Sequence, residues 1–337
     1  MVLVTGGTGF VGAHLLYQLV ATGEKVRAIK RSSSSVETCK TIFGYYTQNI
    51  DDYFSKIEWI EADLLDLEEL TDALQGIKRV YHAAAVVSFD SRRKKEIIEV
   101  NQKGTANLVN LSILLGIEKF CFVSSIASLG NELDGRLIDE SSTWKPTDSH
   151  STYSLSKFWA EMEVWRGAKE GLNVVIVNPS VIVGAGNWKK GSSKFFPTVY
   201  YGLKYYGTGS VGFVGVEDVA RAMIILMNSP ISNERFVLNS ENRTYKEFLF
   251  TIANEFKVTP PSKQLTPFIG NTAWRLAWIW SKIVSKEPLI TRETISTSFK
   301  TSAYSAHKIE DAVAFKFTPI KEVIAEGCKI FIADLAE

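Results

Sequence analysis

The chain has 337 residues, 45% of them hydrophobic and 22% charged, the composition of a globular protein with one large core or two moderate ones. A formal net charge of +1 gives no electrostatic reason to expect nucleic acid as a partner. No apolar run reaches the roughly 18 residues a spanning helix needs, and Cys39, Cys121 and Cys328 lie too far apart for a CxxC or any metal-ligand spacing. The thiols suit a reducing compartment. The opening strand leaves no room for a signal peptide, so a cytoplasmic location is expected.

Strand and helix patterns alternate through the first half. Met1–Thr5 reads as a buried strand that stops in glycines, Gly6, Gly7, Gly9 and Gly12. An apolar helical pattern starts at Phe10 and runs to Ala21, with Gly23 as its end signal. A strand that stops in glycines and turns into a helix is built to hold a phosphate. Its backbone turns tightly and approaches the ligand, and the helix start offers unpaired N–H groups and a positive dipole end. Gly6, Gly9 and Gly12 follow G-x-x-G-x-x-G, one residue longer than the common G-x-G-x-x-G fingerprint, and predict a dinucleotide site.

Further strands are expected at Lys25–Lys30, Ile57–Glu61, Arg79–Ala84, Lys119–Ser124 and Asn173–Val177. Ser32–Ser35 reads as a loop, and Val36–Lys56 has no clear period, with a short helix as the reading it admits. Asp66–Leu74 reads as a helix whose Asp66 and Glu69 have capping-box spacing. Arg92–Leu115 and Ser151–Glu170 read as long helices. Strands separated by helices of this length form parallel βαβ units, so the fold class is α/β with a doubly wound parallel sheet.

After Pro179 the pattern changes. A glycine-rich loop at Gly184–Gly191 precedes helices at Lys194–Tyr205 and Glu217–Met227, a short strand at Arg235–Leu238 and a helix at Tyr245–Phe256. From Pro260 onward the chain is mostly helical and rich in Trp. Residues 1–178 are expected to form the dinucleotide-binding domain, its sheet completed by parts of 209–240. Residues 179–337 are expected to form a smaller, mainly helical substrate lobe over the carboxyl ends of the strands. Trp274, Trp278 and Trp280 share one helix, read first as packed on the lobe, next as a lid, and last as a membrane-surface element.

Ser124 and Ser125 close the fifth strand, and Tyr153-Ser-Leu-Ser-Lys157 opens the helix that follows. Tyr and Lys four apart share one helix face. An ammonium beside a phenol favours the phenolate and lowers its pKa from the free value of ~10, which makes the phenol a usable acid and base near neutrality. A serine hydroxyl from the neighbouring strand end can hold a substrate oxygen, and the same lysine can reach a cofactor ribose. The spacing also occurs at Tyr200…Lys204 and Tyr304…Lys308, which lack the upstream Ser-Ser strand and are read as helix surface. The four histidines have no ligand spacing, so no metal is expected. His82 is read as structural. His150 is read as either a loop position or a substrate-facing one.

With these residues in view the chain resembles the extended short-chain dehydrogenase/reductases, the superfamily of the NAD-dependent epimerases/dehydratases. The resemblance covers almost the whole length. It rests on Thr5-Gly-Gly-Thr-Gly-Phe-Val-Gly12, Asp63-Leu64, His82-Ala-Ala-Ala85, Asn101 with Gly104-Thr105, Phe122-Val-Ser-Ser125, Tyr153…Lys157, Asn178-Pro-Ser180 with Gly184, and Val216-Glu-Asp-Val-Ala220. It implies a Rossmann-type sheet and an NAD(P)-dependent oxidoreductase with Ser125, Tyr153 and Lys157 as catalytic residues. It also implies a cofactor held by Gly6, Thr8, Gly9, Phe10, Val11 and Gly12. Asp63 and Leu64 would contact the adenine, and Ala83, Ala84 and Ala85 would pass beside the pyrophosphate and ribose. Tyr153 and Lys157 would contact the cofactor too, with Pro179, Ser180 and Val181 near the nicotinamide. Asn101 is expected to brace the site.

Where NAD-preferring folds carry an acid for the ribose 2′-OH, at the end of the second strand, the chain reads Ile29-Lys30-Arg31-Ser32. A basic end suits the 2′-phosphate of NADP, with Arg31 pairing bidentately and Ser32 or Ser33 adding a hydroxyl. NADP is therefore expected, with NAD the alternative. Sugar-nucleotide members of the superfamily often carry Arg-Asp before the Val-x-Asp motif. Here those places hold Val211 and Gly212.

Thr152–Glu161 and Val175–Gly184 are instead similar to the dihydroflavonol reductase and cinnamoyl-CoA reductase branch, with the 3β-hydroxysteroid dehydrogenase branch close. Pro288–Arg292, Tyr304–Lys308 and Phe317–Pro319 resemble their tails. The resemblance implies hydride transfer between nicotinamide and a ketone or aldehyde, on a small carbonyl or alcohol substrate. The alternative is a nucleotide-sugar epimerase or dehydratase. Phe89, Trp188, Phe195, Phe196 and Phe213 are candidates for an aromatic pocket wall. In this superfamily the two long helices often form a dimer interface, and Phe158 and Trp165 on the faces read as outward permit a homodimer.

Overall fold

The computed structural model describes residues 1–88, 90–130, 136–145, 150–283 and 291–336. Their strands are β1 (Val2–Thr5), β2 (Val26–Lys30), β3 (Ile57–Glu61), β4 (Arg79–His82), β5 (Lys119–Val123), β6 (Val174–Pro179), β7 (Val181–Val183), β8 (Tyr205–Tyr206), β9 (Ser210–Gly215), β10 (Glu234–Leu238), β11 (Glu241–Thr244) and β12 (Lys263–Gln264). The main sheet has the order β10-β6-β5-β4-β1-β2-β3 and is parallel at every pairing. A second sheet, β11-β9-β7, pairs β9 antiparallel to β11 and parallel to β7. β8 and β12 form a third, two-stranded sheet.

The strand order reverses at β1. The chain builds outward through β2 and β3, then lays β4 on the other side of β1. Such a switch point opens a crevice at the carboxyl ends of its two strands. Gly6 and Ala83 begin the two loops that diverge there.

Period-two alternation sends successive strand residues to opposite faces. Val2, Val4, Ala28, Cys121, Val175 and Val177 share a core with the helices Phe10–Ala21, Glu37–Gly44 and Val216–Asn228. Leu3, Ile29, Phe120, Phe122, Val174 and Ile176 share another with the helices Leu67–Leu74, Gly104–Leu114 and Thr152–Lys169. A third core, around Phe196, Phe213, Phe248 and Ile324, fills the C-terminal part. Cys39, Cys121 and Cys328 are free and buried. Among the described residues no helix is long and apolar enough to cross a membrane.

The structure departs from the sequence pattern at several places. Residues 36–56 hold two short helices, Glu37–Gly44 and Ile50–Phe54, where the sequence admits one. The expected helix over 92–115 is a 3₁₀ turn (Ser91–Arg93), a helix (Lys94–Ile98), a π turn (Glu99–Lys103) and a second helix (Gly104–Leu114). A π turn carries one residue more than a regular turn, and buried Asn101 lies within this one. Asp66 caps Leu67–Leu74 by accepting from the N–H groups of Glu68 and Glu69 at 3.0 and 3.1 Å. Glu69 does not complete the box, because its carboxylate accepts from the Asp63 N–H at 2.7 Å.

The expected helix over 194–205 shortens to Phe195–Tyr200, behind a 3₁₀ turn at Gly191–Lys194. The helix Pro267–Ile283 packs through Gly270 on Ile295, while Phe268 and Leu276 face outward. Phe89, residues 288–290 and the side chain of Trp280 lie outside the described residues.

Candidate active site

The glycine turn fits a diphosphate because its own packing leaves no room for side chains. Gly6 has φ +73°, and a Cβ on it would stand 2.6 Å from the Ala84 nitrogen. A Cβ on Gly12 would stand 2.1 Å from the Gly6 carbonyl oxygen. Gly9 is the N-cap of the helix Phe10–Ala21 and brings no capping side chain, and the first turn holds no acid. The N–H groups of that turn are thus left for an anion. Thr8, Gly9, Phe10 and Val11 are accessible, and the Phe10 ring packs against Gly186. This cradle fits the diphosphate of a dinucleotide.

Other residues expected at a cofactor surround the same crevice. Ala83, Ala84 and Ala85 follow β4 and remain partly or fully accessible. Asp63 folds back on its own turn, accepting from the Leu65 N–H at 2.9 Å. Leu64 is buried under Gly104, and its carbonyl accepts from Asn107 at 2.9 Å. At the end of β2, Lys30 pairs with Glu61 at 3.5 Å. Arg31 and Ser32 are exposed, and Arg31 is near enough to help hold the Glu96 carboxyl below its ordinary range, behind the larger effect of Arg93. Pro179, Ser180 and Val181 span the end of β6 and the start of β7, with the Ser180 N–H donating to the Leu238 carbonyl at 2.9 Å.

Buried polar groups connect this crevice to Tyr153. The Thr105 hydroxyl donates to the Asn101 carbonyl at 2.6 Å, so it accepts from His82 Nε2 at 2.9 Å. His82 Nδ1 is then the acceptor for the Thr5 hydroxyl at 2.7 Å, and Thr5 in turn accepts from the Ala84 N–H at 3.2 Å. One tautomer satisfies every group. Burial and the nearby Lys157 pull His82 down to about 3, so it stays neutral. Asn101 accepts from the Val86 N–H at 2.7 Å and donates to the Val86 carbonyl at 3.0 Å and to Ser156 at 2.9 Å. Ser156 donates to the Tyr153 carbonyl at 2.8 Å. His82 is thus a structural residue.

Ser125, Tyr153 and Lys157 meet at the carboxyl end of β5. Ser125 follows Ser124 and accepts from the Ala127 N–H at 3.1 Å. Ser151 caps the helix Thr152–Lys169 by accepting from the Ser154 N–H at 3.0 Å, which sets Tyr153 in its first turn. Tyr153 and Ser125 share a side-chain hydrogen bond. Lys157 is buried, donates to the Val123 carbonyl at 2.7 Å and lies 4.4 Å over the Phe122 ring.

Burial pulls the Lys157 ammonium down to about 7, against the opposing pull of Glu161. Burial also raises the Tyr153 phenol above its ordinary value, with the Ser125 bond acting the other way. The expected lowering of the phenol by the ammonium is therefore not the arrangement found, because Lys157 is engaged by the Val123 carbonyl and its own charge is weakened by burial.

Several sequence candidates fall elsewhere. Phe196 and Phe213 are fully buried, and Phe213 stacks on Phe248 with centroids 4.3 Å apart. Phe195 packs edge-on to Phe248, and Trp188 lies against Phe196 and Phe331 with its indole N–H on Asp334 at 2.6 Å. These rings build the third core. His150 packs on Trp144 with centroids 3.9 Å apart. Tyr304 is buried, Lys308 pairs with Glu234, and Tyr200 packs on Phe256 and Phe331. Trp165 does not point outward: its indole N–H donates to Glu161 at 3.2 Å. Glu161 is no candidate from sequence alone, although its spacing from Lys157 repeats that of Lys157 from Tyr153.

Residues 2–238 match the NAD dependent epimerase/dehydratase family, and the chain belongs to that family. It is an NAD(P)-dependent enzyme of the extended short-chain dehydrogenase/reductase type. It is 27% identical to a putative dihydroflavonol 4-reductase of Synechocystis sp., across 97% of this chain and 93% of that one. It is 30% identical to sterol demethylase protein B of Methylococcus capsulatus, across 73% and 72%. It is 24% identical to cinnamoyl-CoA reductase 1 of Petunia hybrida, across 98% and 91%. Among solved structures, the crystal structure of gox2253 matches with a TM-score of 0.81 and 26% identity over 99% of this chain and 98% of that one. A Thermus thermophilus UDP-glucose 4-epimerase in complex with NAD shares the fold, with a TM-score of 0.75 and 22% identity over 98% of each chain.

Gly12→Ala drives a methyl into the Gly6 carbonyl and is expected to weaken dinucleotide binding by at least ~10-fold in a fluorescence titration. Lys157 gives a pH signature. Between about 7 and 10 the unfolded chain keeps a proton on this lysine that the folded chain releases. That group alone makes stability rise with pH by up to ~1.4 kcal/mol per pH unit. Lys157→Met is expected to remove that contribution, read as the difference between variant and parent urea-unfolding free energies across this range.

Proposed function

We propose that the protein is an NADP(H)-dependent carbonyl reductase or alcohol dehydrogenase acting on a ketone/alcohol or aldehyde/alcohol pair. The observation that carries this reading is the meeting of Ser125, Tyr153 and Lys157 beside the Gly6–Gly12 cradle. The nicotinamide cofactor, when bound, supplies or accepts the hydride. Ser125 donates a hydrogen bond to the substrate oxygen and orients it. Tyr153 delivers its proton to that oxygen as negative charge develops there. Burial keeps this phenol protonated at neutral pH, the form that reduction needs. Lys157 lies one helical turn beyond the tyrosine and stands ready for a ribose hydroxyl. The reductase-named relatives support this class, as does β9, where Val211 and Gly212 bring no cation and Asn239 fills the face of Gly212. We read residues 1–178 as mainly cofactor-binding and 179–337 as mainly substrate-binding.

The preference for NADP rests on Arg31. Lys30 is already paired with Glu61, which leaves exposed Arg31 and Ser32 for a 2′-phosphate. A charge-assisted fork on phosphate contributes ~1.5–3 kcal/mol. Arg31→Ala is therefore expected to weaken NADPH binding by about 10-fold or more and NADH binding hardly at all, as calorimetry would report. An equal loss for both cofactors refutes the assignment.

Tyr153→Phe is expected to abolish most carbonyl reduction while leaving the NADPH dissociation constant near that of the parent. Full turnover in this variant would reject the mechanism. Leu114 and Trp159, on the helices Gly104–Leu114 and Thr152–Lys169, are 77% and 45% exposed, which supports a homodimer through these helices. Light scattering should give twice the chain mass, and Trp159→Glu should halve it.

A further inference from the structure

Glu161 lies one turn beyond Lys157 and is fully buried. Its Oε2 accepts from Ser124 at 2.5 Å, Ser128 at 2.7 Å and Asn178 at 2.8 Å. Its Oε1 accepts from Arg235 at 2.9 Å and Trp165 at 3.2 Å. These donors come from the ends of β5 and β6, from β10, from the turn after Ser125 and from its own helix.

Three of the donors enclose Ser125. Ser124 precedes it. Ser128 closes the turn that Ser125 opens and lies 2.7 Å from the Ser125 carbonyl. Asn178 also reaches that carbonyl, at 3.2 Å. The peptide that presents the Ser125 hydroxyl is therefore set by contacts that converge on one carboxylate.

The second effect is electrostatic. A buried ion pair is costly to desolvate, and well-packed apolar residues often serve stability as well or better. What apolar residues cannot supply is a fixed negative charge near Lys157. His82 lies near Lys157 and Tyr153 one turn before it on the same helix, and neither is an anion at neutral pH. Arg235 and Trp165 face Glu161, Glu140 accepts from Arg235 through its carbonyl, and Lys308 acts on Glu140. Glu161 is the group that opposes the loss of the Lys157 proton.

We propose that Glu161 is a positioning residue for this site: one buried carboxylate sets the turn that presents Ser125 and supplies the counter-charge behind Lys157. The proposal rests on the roles assigned above to Ser125, Tyr153 and Lys157.

Glu161→Gln leaves Arg235 without its carboxylate, so it is read beside Glu161→Gln/Arg235→Met, which removes both charges. The first readout needs no substrate. NMR of protein labelled at lysine Cε follows the Lys157 titration, assigned with Lys157→Met. The midpoint is expected to move acid by about one pH unit or more in either folded variant. An unchanged midpoint overturns the proposal.

The second readout is kinetic. In either folded variant kcat should fall about 10-fold or more, corresponding to ~1.4 kcal/mol, with KM nearly unchanged, and Glu161→Asp should recover part of it. If neither charge variant folds, Ser128→Ala, which keeps both charges, must lower kcat with the Lys157 midpoint in place, or the proposal fails. If the parent protein reduces no carbonyl compound, the functional reading fails while the lysine midpoint still decides the role of Glu161.

Discussion

A neutral imidazole holds the two halves of the site together. His82 accepts from Thr5 below the glycine turn and donates to Thr105 above the π turn, and no other tautomer satisfies both neighbours. Protonation would give Nδ1 a hydrogen that faces a hydroxyl already aimed at it. The lowered pKa keeps that form away, and it ties stability to pH. His82 contributes fully above the ordinary histidine pKa, and the contribution is lost as pH falls toward about 3. Because Asn101 and Ser156 continue from the same chain to the Tyr153 carbonyl, the glycine turn and Tyr153 are fixed by one set of contacts.

On the other side of Lys157 the logic differs. There a charged pair rather than a neutral relay fixes the geometry. Buried Glu161 and Arg235 tie the helix Thr152–Lys169 to three neighbouring strands, β5, β6 and β10. Lys157 thus stands between a neutral imidazole and a carboxylate, with an aromatic ring beneath it. That placement keeps its charge adjustable near neutrality.

Local chemistry made part of this site legible in the sequence. Gly6, Gly9 and Gly12 announce themselves because close backbone approach forbids side chains there. Tyr153 and Lys157 share a helix face by spacing alone. The main sheet was legible because its central strands β1, β5 and β6 are buried on both faces and read as apolar runs. The rest depended on contacts distant in sequence. Glu161 looks like any charged helix residue until Arg235 and Asn178 arrive from other strands. Glu69 has capping-box spacing, yet the Asp63 turn claims its carboxylate. Phe196 and Phe213 carry no mark that distinguishes a core ring from a pocket ring. β7 and β11 are short, and Gly212 and Gly215 weaken any strand signal in β9.

The π turn at Glu99–Lys103 carries an evolutionary consequence. An extra residue in a helix turns everything after it by about 100°. Ile97 before the turn and Leu108 after it are both buried, so the backbone has absorbed that rotation without exposing either side. No exchange of one side chain for another produces such a step; it requires adding or losing a codon. Losing one here would rotate Gly104 off Leu64 and Thr105 off His82 together. The helix is therefore far more open to substitution along its outer face than to any change in its length.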